Sequence, residues 1–195
     1  MSFQQLYDRV QDQGDRVSTK WIRAQVIELS PIKAVKEFWS SAMDHANLRG
    51  FYIEGPFTGV PALSLDDNQA LIGLSRMMCS APEGKNWRRA VLTKELMHCF
   101  DTEEEKADTP EKLSLQVERF SNPKTPVSPQ FHAENVAFWR SLAVLCKETR
   151  RTSFKEDLEA NRISIEVVAT SLGLPLHHVR LMMRDDFEDI LPDIM

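Results

Sequence analysis

The sequence predicts an α+β fold, mostly helical, with a small antiparallel or mixed sheet. Two observations carry this expectation. Short apolar runs bounded by turn residues crowd between about 49 and 78, whereas the rest of the chain shows helical spacing of its apolar residues. Strands and helices also fail to alternate, so the parallel sheet of a βαβ series is not expected.

Taken in order, the chain divides into an N-terminal helical extension (1–29), a main domain (30–150) and a C-terminal helical pair (151–195) packed on it. From Ser30, "SPIKAVKEFWSSAMDHANL" predicts a helix: Ser30 serves as cap, Pro31 suits the first turn, and Ile32, Val35, Phe38 and Trp39 recur at helical spacing. "RGFYIEGP" reads as a strand between glycines. "VPALSLDD" and "QALIGLSRMM" are further strands, parted by the turn residues Asp66, Asp67 and Asn68, and two of the three are expected to pair as a hairpin. After the turn "SAPEGKN" comes a helix from about Asn86 to Phe100. The acidic run "DTEEEKADTPEKL" leads into a helix from Thr109-Pro110 through Phe120. "SNPKTPVSP" is a loop, and a long helix spans about Pro129 to Glu148. From Phe154 onward the chain is expected to be helical.

Composition narrows the classes. A chain of 195 residues with 42% hydrophobic and 27% charged residues is long and apolar enough for a real core. Its net charge of −5 gives no general attraction to nucleic acid or to anionic membranes. Cys79, Cys99 and Cys146 are odd in number and far apart, so neither a Cys-x-x-Cys zinc site nor a disulfide framework is expected, and the thiols should be reduced. The start "MSFQQLYDRVQDQGDR" lacks the apolar core of a signal peptide, and no apolar run approaches the roughly 20 residues of a membrane span. A cytoplasmic, soluble protein is the expectation.

One stretch carries chemistry. "KELMH", Lys94 to His98, differs by one letter from the His-Glu-x-x-His of helical zinc peptidases. Trp87, Val91, Lys94 and His98 fall on one side of the predicted helix, Leu92, Leu96 and Cys99 on the other. A helix apolar nearly all round is a buried one. Charged groups within it need partners or a solvated cleft, because burying an unpaired ion costs several kcal/mol. A buried structural network without any site is the plainer alternative.

Beyond this motif, residues from about Ser30 to Arg184 resemble the ImmA/IrrE family of zinc endopeptidases. The resemblance rests on "SPIKAVKEFWSSAM" followed by "GFYIEG" and "ALIGLSRMM", on the arginine-led "RRAVLTKELMH", on "ENVAFWRSLAVLCKE", and on the closing "ISIEVVATSLGLPLHHVRLMM". It makes 30–150 a zincin-like domain. By that resemblance Glu95 holds the place of the general base, His98 that of the second metal ligand, and Glu134 that of the downstream ligand, with His132 a nearby substitute and Glu104 and Asp108 weaker ones. Lys94 stands where the first histidine ligand belongs. A protonated lysine has no lone pair for zinc, and its usual pKa near 10.4 keeps it protonated. The expectation is therefore a vestigial cleft of Lys94, Glu95, His98 and Glu134, with the ammonium in place of the metal and no cofactor. Such a pseudopeptidase would serve as a regulatory or protein-interaction module, with a repressor-like regulator as the kind of partner the family implies. A weakly active zinc endopeptidase, in which Lys94 swings away and His98, Glu134 and His132 hold the ion, is the first alternative.

A DNA-binding regulator is the second. Ala169, Gly173 and Val179 have the spacing of a helix-turn-helix, and "LPLHHVRLMMR" would present His177, His178, Arg180 and Arg184. Charge argues against it. Arg162, Arg180 and Arg184 are followed by Asp185, Asp186, Glu188, Asp189 and Asp193, which leaves few cations for phosphates. The tail "DDFEDILPDIM" is expected to dock on its own domain or to offer a short amphipathic motif to a partner.

Overall fold

The structure, a computed structural model, describes residues 2–14, 16–46, 48–56, 64–107 and 127–195. Helices α1 (Phe3–Gln11) and α2 (Thr19–Leu29) follow from their apolar spacing: Phe3, Leu6 and Val10 are buried in one, Ile22, Val26 and Leu29 in the other. Ser18 caps α2 by accepting from the Trp21 amide at 3.2 Å. These side chains belong to the same buried core as the helices and strands that follow.

The helix expected from Ser30 is not formed. Ser30 instead closes α2 in an extended conformation, and Ala34–Ser40 is a strand, β1. Proline at 31 cannot extend α2, and Val35, Phe38 and Trp39 suit a pleated surface as well as a helix face. What decides between them is a partner remote in sequence: β1 runs parallel to β3 (Gln69–Ser75), in register from Ala34↔Gln69 to Ser40↔Ser75. Arg23 of α2 adds an ion pair to Glu37 at 3.0 Å and donates to the Val35 carbonyl.

Strand β2 (Gly50–Glu54) pairs antiparallel with β3, from Gly50↔Leu74 to Glu54↔Ala70, which gives the expected hairpin partners and a mixed sheet of order β1-β3-β2. The central β3 is buried from Ala70 to Ser75, as a fully covered strand requires. It ends at Ser75, earlier than expected; Arg76–Ser80 turns into a short helix, α3, capped by Ser75. Residues 60–63 of the anticipated middle strand lie outside the described residues. Its remainder makes only a single bridge at Leu65 before the turn at Asp67 and Asn68. The helix expected over 109–120 and most of the following loop also lie outside the described residues.

Helix α4 (Gly84–Met97), continued by a 3₁₀ turn His98–Phe100, is the axis of the fold. It buries Ala90, Val91, Leu92, Thr93, Glu95, Leu96 and Met97 and packs against α2, α3, β2, β3 and α5 (Pro129–Leu145). Ser128 and Pro129 start α5, the serine accepting from the Phe131 amide at 3.2 Å. Then come α6 (Glu148–Glu159), α7 (Ile165–Leu172), α8 (Leu176–Met182) and α9 (Phe187–Ile194). The tail docks on the domain: Phe187 and Ile194 are buried, Arg140 donates to the Ile194 carbonyl at 2.7 Å, and buried Arg151 pairs with Glu188. Among the described residues no helix is long and apolar enough to cross a membrane.

Candidate functional site

The last turn of α4 delivers Lys94 and Glu95, its 3₁₀ continuation delivers His98, and the second turn of α5 delivers Glu134. Because α4 and α5 pack side by side, these four side chains meet. The Lys94 ammonium donates to Glu134 Oε2 and lies 3.4 Å from both carboxylate oxygens of Glu95. His98 Nε2 faces Glu134 Oε1 at 3.4 Å and Glu95 Oε2 at 3.8 Å. Its other ring nitrogen, Nδ1, is 2.7 Å from Asp101 Oδ2. The Glu95 side chain is only 4% exposed, His98 8% and Asp101 5%; solvent reaches the cluster through Lys94 at 18% and Glu134 at 26%.

Electrostatics follow from this packing. Burial works against the charge on Lys94, but Glu95 and Glu134 outweigh it and hold the ammonium above the ordinary lysine range. Burial and Lys94 likewise oppose charge on His98, yet the hydrogen bond to Asp101 and the contact with Glu134 raise its pKa to about 9. Glu134 is driven well below the usual carboxylate range: burial opposes this, and His98 and Lys94 overcome it. For Glu95 burial wins over Lys94 and His98, and its carboxyl sits above the ordinary range. Lys94 and His98 thus stand between the carboxyl groups of Glu95, Glu134 and Asp101.

Two residues complete the site without having stood out in the sequence. Asp101 looked like the first member of an exposed acidic run, yet its side chain is covered and orients the His98 ring. Its signal was the three-residue spacing from His98 across a helix end, which brings the two side chains to one face. Gly50 brings the β2 backbone onto α4: a Cβ there would stand 2.5 Å from Val91 Cγ1 and 3.0 Å from Glu95 Oε1. Nothing in "RGFYIEGP" discloses that approach, which exists only once β2 lies across α4. Tyr52, on the same strand, sets its ring 5.8 Å from that of His98.

Zinc does not fit these donors. Four residues before His98, where a helical ligand would converge with it, stands an ammonium already bonded to Glu134. Among the described residues no group of three or more His, Cys, Asp or Glu is arranged to hold a metal ion. The substitute ligand His132 is not brought in. Two residues before Glu134, it is about 200° around α5, and it is exposed beside Glu104 and Glu105 in a shallow depression. Glu104 is exposed as well, and Asp108 lies outside the described residues.

The α7–α8 pair has the turn its spacing predicts, with Gly173 left-handed at φ 62 and with Ala169 and Val179 buried. Its supposed reading face is largely absent. His178 points into the core, 5.2 Å from the Trp87 ring and 5.4 Å from Phe138. Burial, then His177 and Arg49, lower its pKa to about 4. Arg184 is exposed but tied to Asp186 at 2.8 Å, and His177 and Arg180 are exposed beside it. No family model matches the chain, and no curated protein or solved structure matches it.

Proposed function

We propose that the chain is a non-catalytic, ImmA/IrrE-like pseudopeptidase of the cytoplasm, acting as a regulatory or protein-interaction module. One observation carries this reading: an ammonium, not a metal, neutralises the carboxylates between α4 and α5. Lys94 holds Glu134 in its charged form where the peptidase motif would place the first histidine, so Glu95 has no metal-bound water to activate. The cluster then presents a partly exposed polar edge at Lys94 and Glu134, suited to a protein partner such as a repressor-like regulator. A weakly active endopeptidase would require Lys94 to abandon both carboxylates, with His132 unable to replace it. Of the four side chains the DNA-binding alternative would use, His178 is buried and Arg184, though exposed, is paired with Asp186.

Metal analysis tests the reading. Protein purified without a metal-affinity tag and equilibrated with zinc is expected to hold well under one ion per chain. Lys94→His should take up one, because it restores two histidines four apart on a helix with Glu134 opposite. Stoichiometric zinc in the parent, lost on His98→Ala, would make the protein an enzyme candidate. A Lys94→His variant that folds but stays metal-free would remove the ground for an inherited cleft.

A further inference from the structure

The segment from Asp185 to Met195 holds five acids and no Lys or Arg, and its helix, α9, is poorly supported from within. Asp189 and Asp193 stand four residues apart, where like charges repel along a helix. Asp193 in the last turn also opposes the helix dipole. Pro192 lies inside the helix and has no amide hydrogen to give the Glu188 carbonyl, and the N-cap residue Asp186 makes no capping hydrogen bond. An eight-residue helix of this kind does not persist alone and takes its shape from what it packs against.

Its support is a cationic groove on two longer helices, α5 and α6. Arg151 of α6 is almost fully covered, its side chain 2% exposed, whereas Glu188, which accepts from its Nη2, is 56% exposed. The Arg151 guanidinium carbon lies 5.1 Å from the centre of the Phe187 ring, and that ring is 6.1 Å from the ring of Trp139 on α5. Arg140, also on α5, donates from Nε to the Ile194 carbonyl at 2.7 Å. The two arginines thus hold the first and last turns of α9, at points about 10 Å apart along a helix that rises about 1.5 Å per residue. Lys155 of α6 adds a pair to Asp185 at 2.9 Å, with the Asp185 side chain almost wholly exposed.

The fit between groove and tail is incomplete. Arg151 Nη1 is buried and has no hydrogen-bond partner among the described residues, although a guanidinium fork can give a carboxylate two parallel bonds. Glu188 meets only one arm of that fork. A helix weak in itself, seated beside an unused buried donor, opens at lower cost than the core does. Its opening uncovers Arg151, Trp139 and Arg140 together.

We propose that α9 is a displaceable occupant of this groove, and that the groove receives an acidic amphipathic helix of a partner protein. Such a helix sets an aromatic ring against Trp139, a carboxylate on both Nη atoms of Arg151, and an aliphatic residue seven positions on, beside Arg140. The tail supplies the same pattern in Phe187, Glu188 and Ile194, and so serves as an internal copy of the ligand. Charge complementarity selects the class, because a basic or uncharged segment would leave Arg151 covered without a counter-charge. This surface lies on α5 and α6 and does not rest on the reading of the Lys94 cluster.

Fluorescence anisotropy on the full chain tests this with a labelled peptide of the tail's own sequence, "DDFEDILPDIM". Glu188→Gln in the chain loosens the resident tail and should tighten peptide binding about tenfold relative to the parent, the worth of one charge-assisted hydrogen bond. Placed in the peptide instead, the same change should weaken binding to the Glu188→Gln chain by a similar factor. A scrambled peptide of the same composition should bind far less. Amide hydrogen exchange in the parent needs no variant: α9 amides should exchange at least about a hundredfold faster than those of α4, through opening of the tail alone. Three results would each overturn the proposal: equal peptide binding by the parent and the Glu188→Gln chain, equal binding of the scrambled or the substituted peptide, or α9 amides that exchange no faster than those of α4.

Discussion

Replacing Lys94 by methionine keeps most of the aliphatic stem and removes the charge, so it isolates the electrostatic role of the ammonium. At 3.4 Å and an effective dielectric of about 20, one pair of unit charges attracts by about 5 kcal/mol, and the direct contact with Glu134 adds a comparable amount. Desolvation of the three groups cancels much of that attraction in the parent, at several kcal/mol per buried ion. In Lys94→Met the carboxylates stay buried and the compensation is gone, so a loss of about 3–5 kcal/mol is expected. Urea unfolding at pH 7 reads it as a lower midpoint at unchanged slope. A second substitution, Glu134→Gln, should restore at least half of the loss by removing the orphaned charge. The sign with pH is also fixed. Glu134 has a depressed folded pKa, so its stabilisation is present above about 4.5 and is lost as pH falls through that depressed value. The gap between parent and variant should therefore narrow in acid. A Lys94→Met protein within about 1 kcal/mol of the parent at pH 7, the range of an ordinary substitution, would refute the view that Lys94 is the counter-charge of this cluster.

Other expectations follow from neighbouring groups. His98, raised to about 9, should stabilise the fold fully below about 6.5 and lose on the order of 3 kcal/mol as pH rises from there through 9. In an NMR titration the ring should turn near 9, and in Asp101→Asn nearer 6.5. His178, lowered to about 4, behaves oppositely. Its contribution is present above about 6.5 and is lost as pH falls toward 4. His178→Phe should make the urea midpoint less acid-sensitive in that window. Gly50→Ala should cost about 1–3 kcal/mol in thermal unfolding through overpacking against Val91, and should displace the Glu95 carboxylate with it.

How far the sequence reached can be seen in particular elements. Helix α4 was legible nearly to its ends because its apolar residues recur over fourteen positions, more than any strand offers. Helix α5 begins at Pro129 as expected but ends at Leu145, short of the expected Glu148. The run from Ser30 misled, because Val35, Phe38 and Trp39 satisfy a helix face and a pleated strand equally well over a short span. Asp101 was hidden among acids that are exposed, and burial is not written in residue type. His178 had the same fate in reverse, a polar letter that packs between Trp87 and Phe138.

By itself the sequence determined the class of fold, the central buried helix, and the presence of Lys94, Glu95 and His98 on adjoining parts of it. These are local properties, set by spacing within one element. Only the tertiary structure decided that β1 is a strand, that Glu134 completes the cluster while His132 turns away, and that Arg151 and Glu188, 37 residues apart, pair where the tail docks. Those outcomes depend on which remote segments lie side by side, and neither hydrogen-bond pairing nor ion pairing across such distances leaves a periodic trace in the chain.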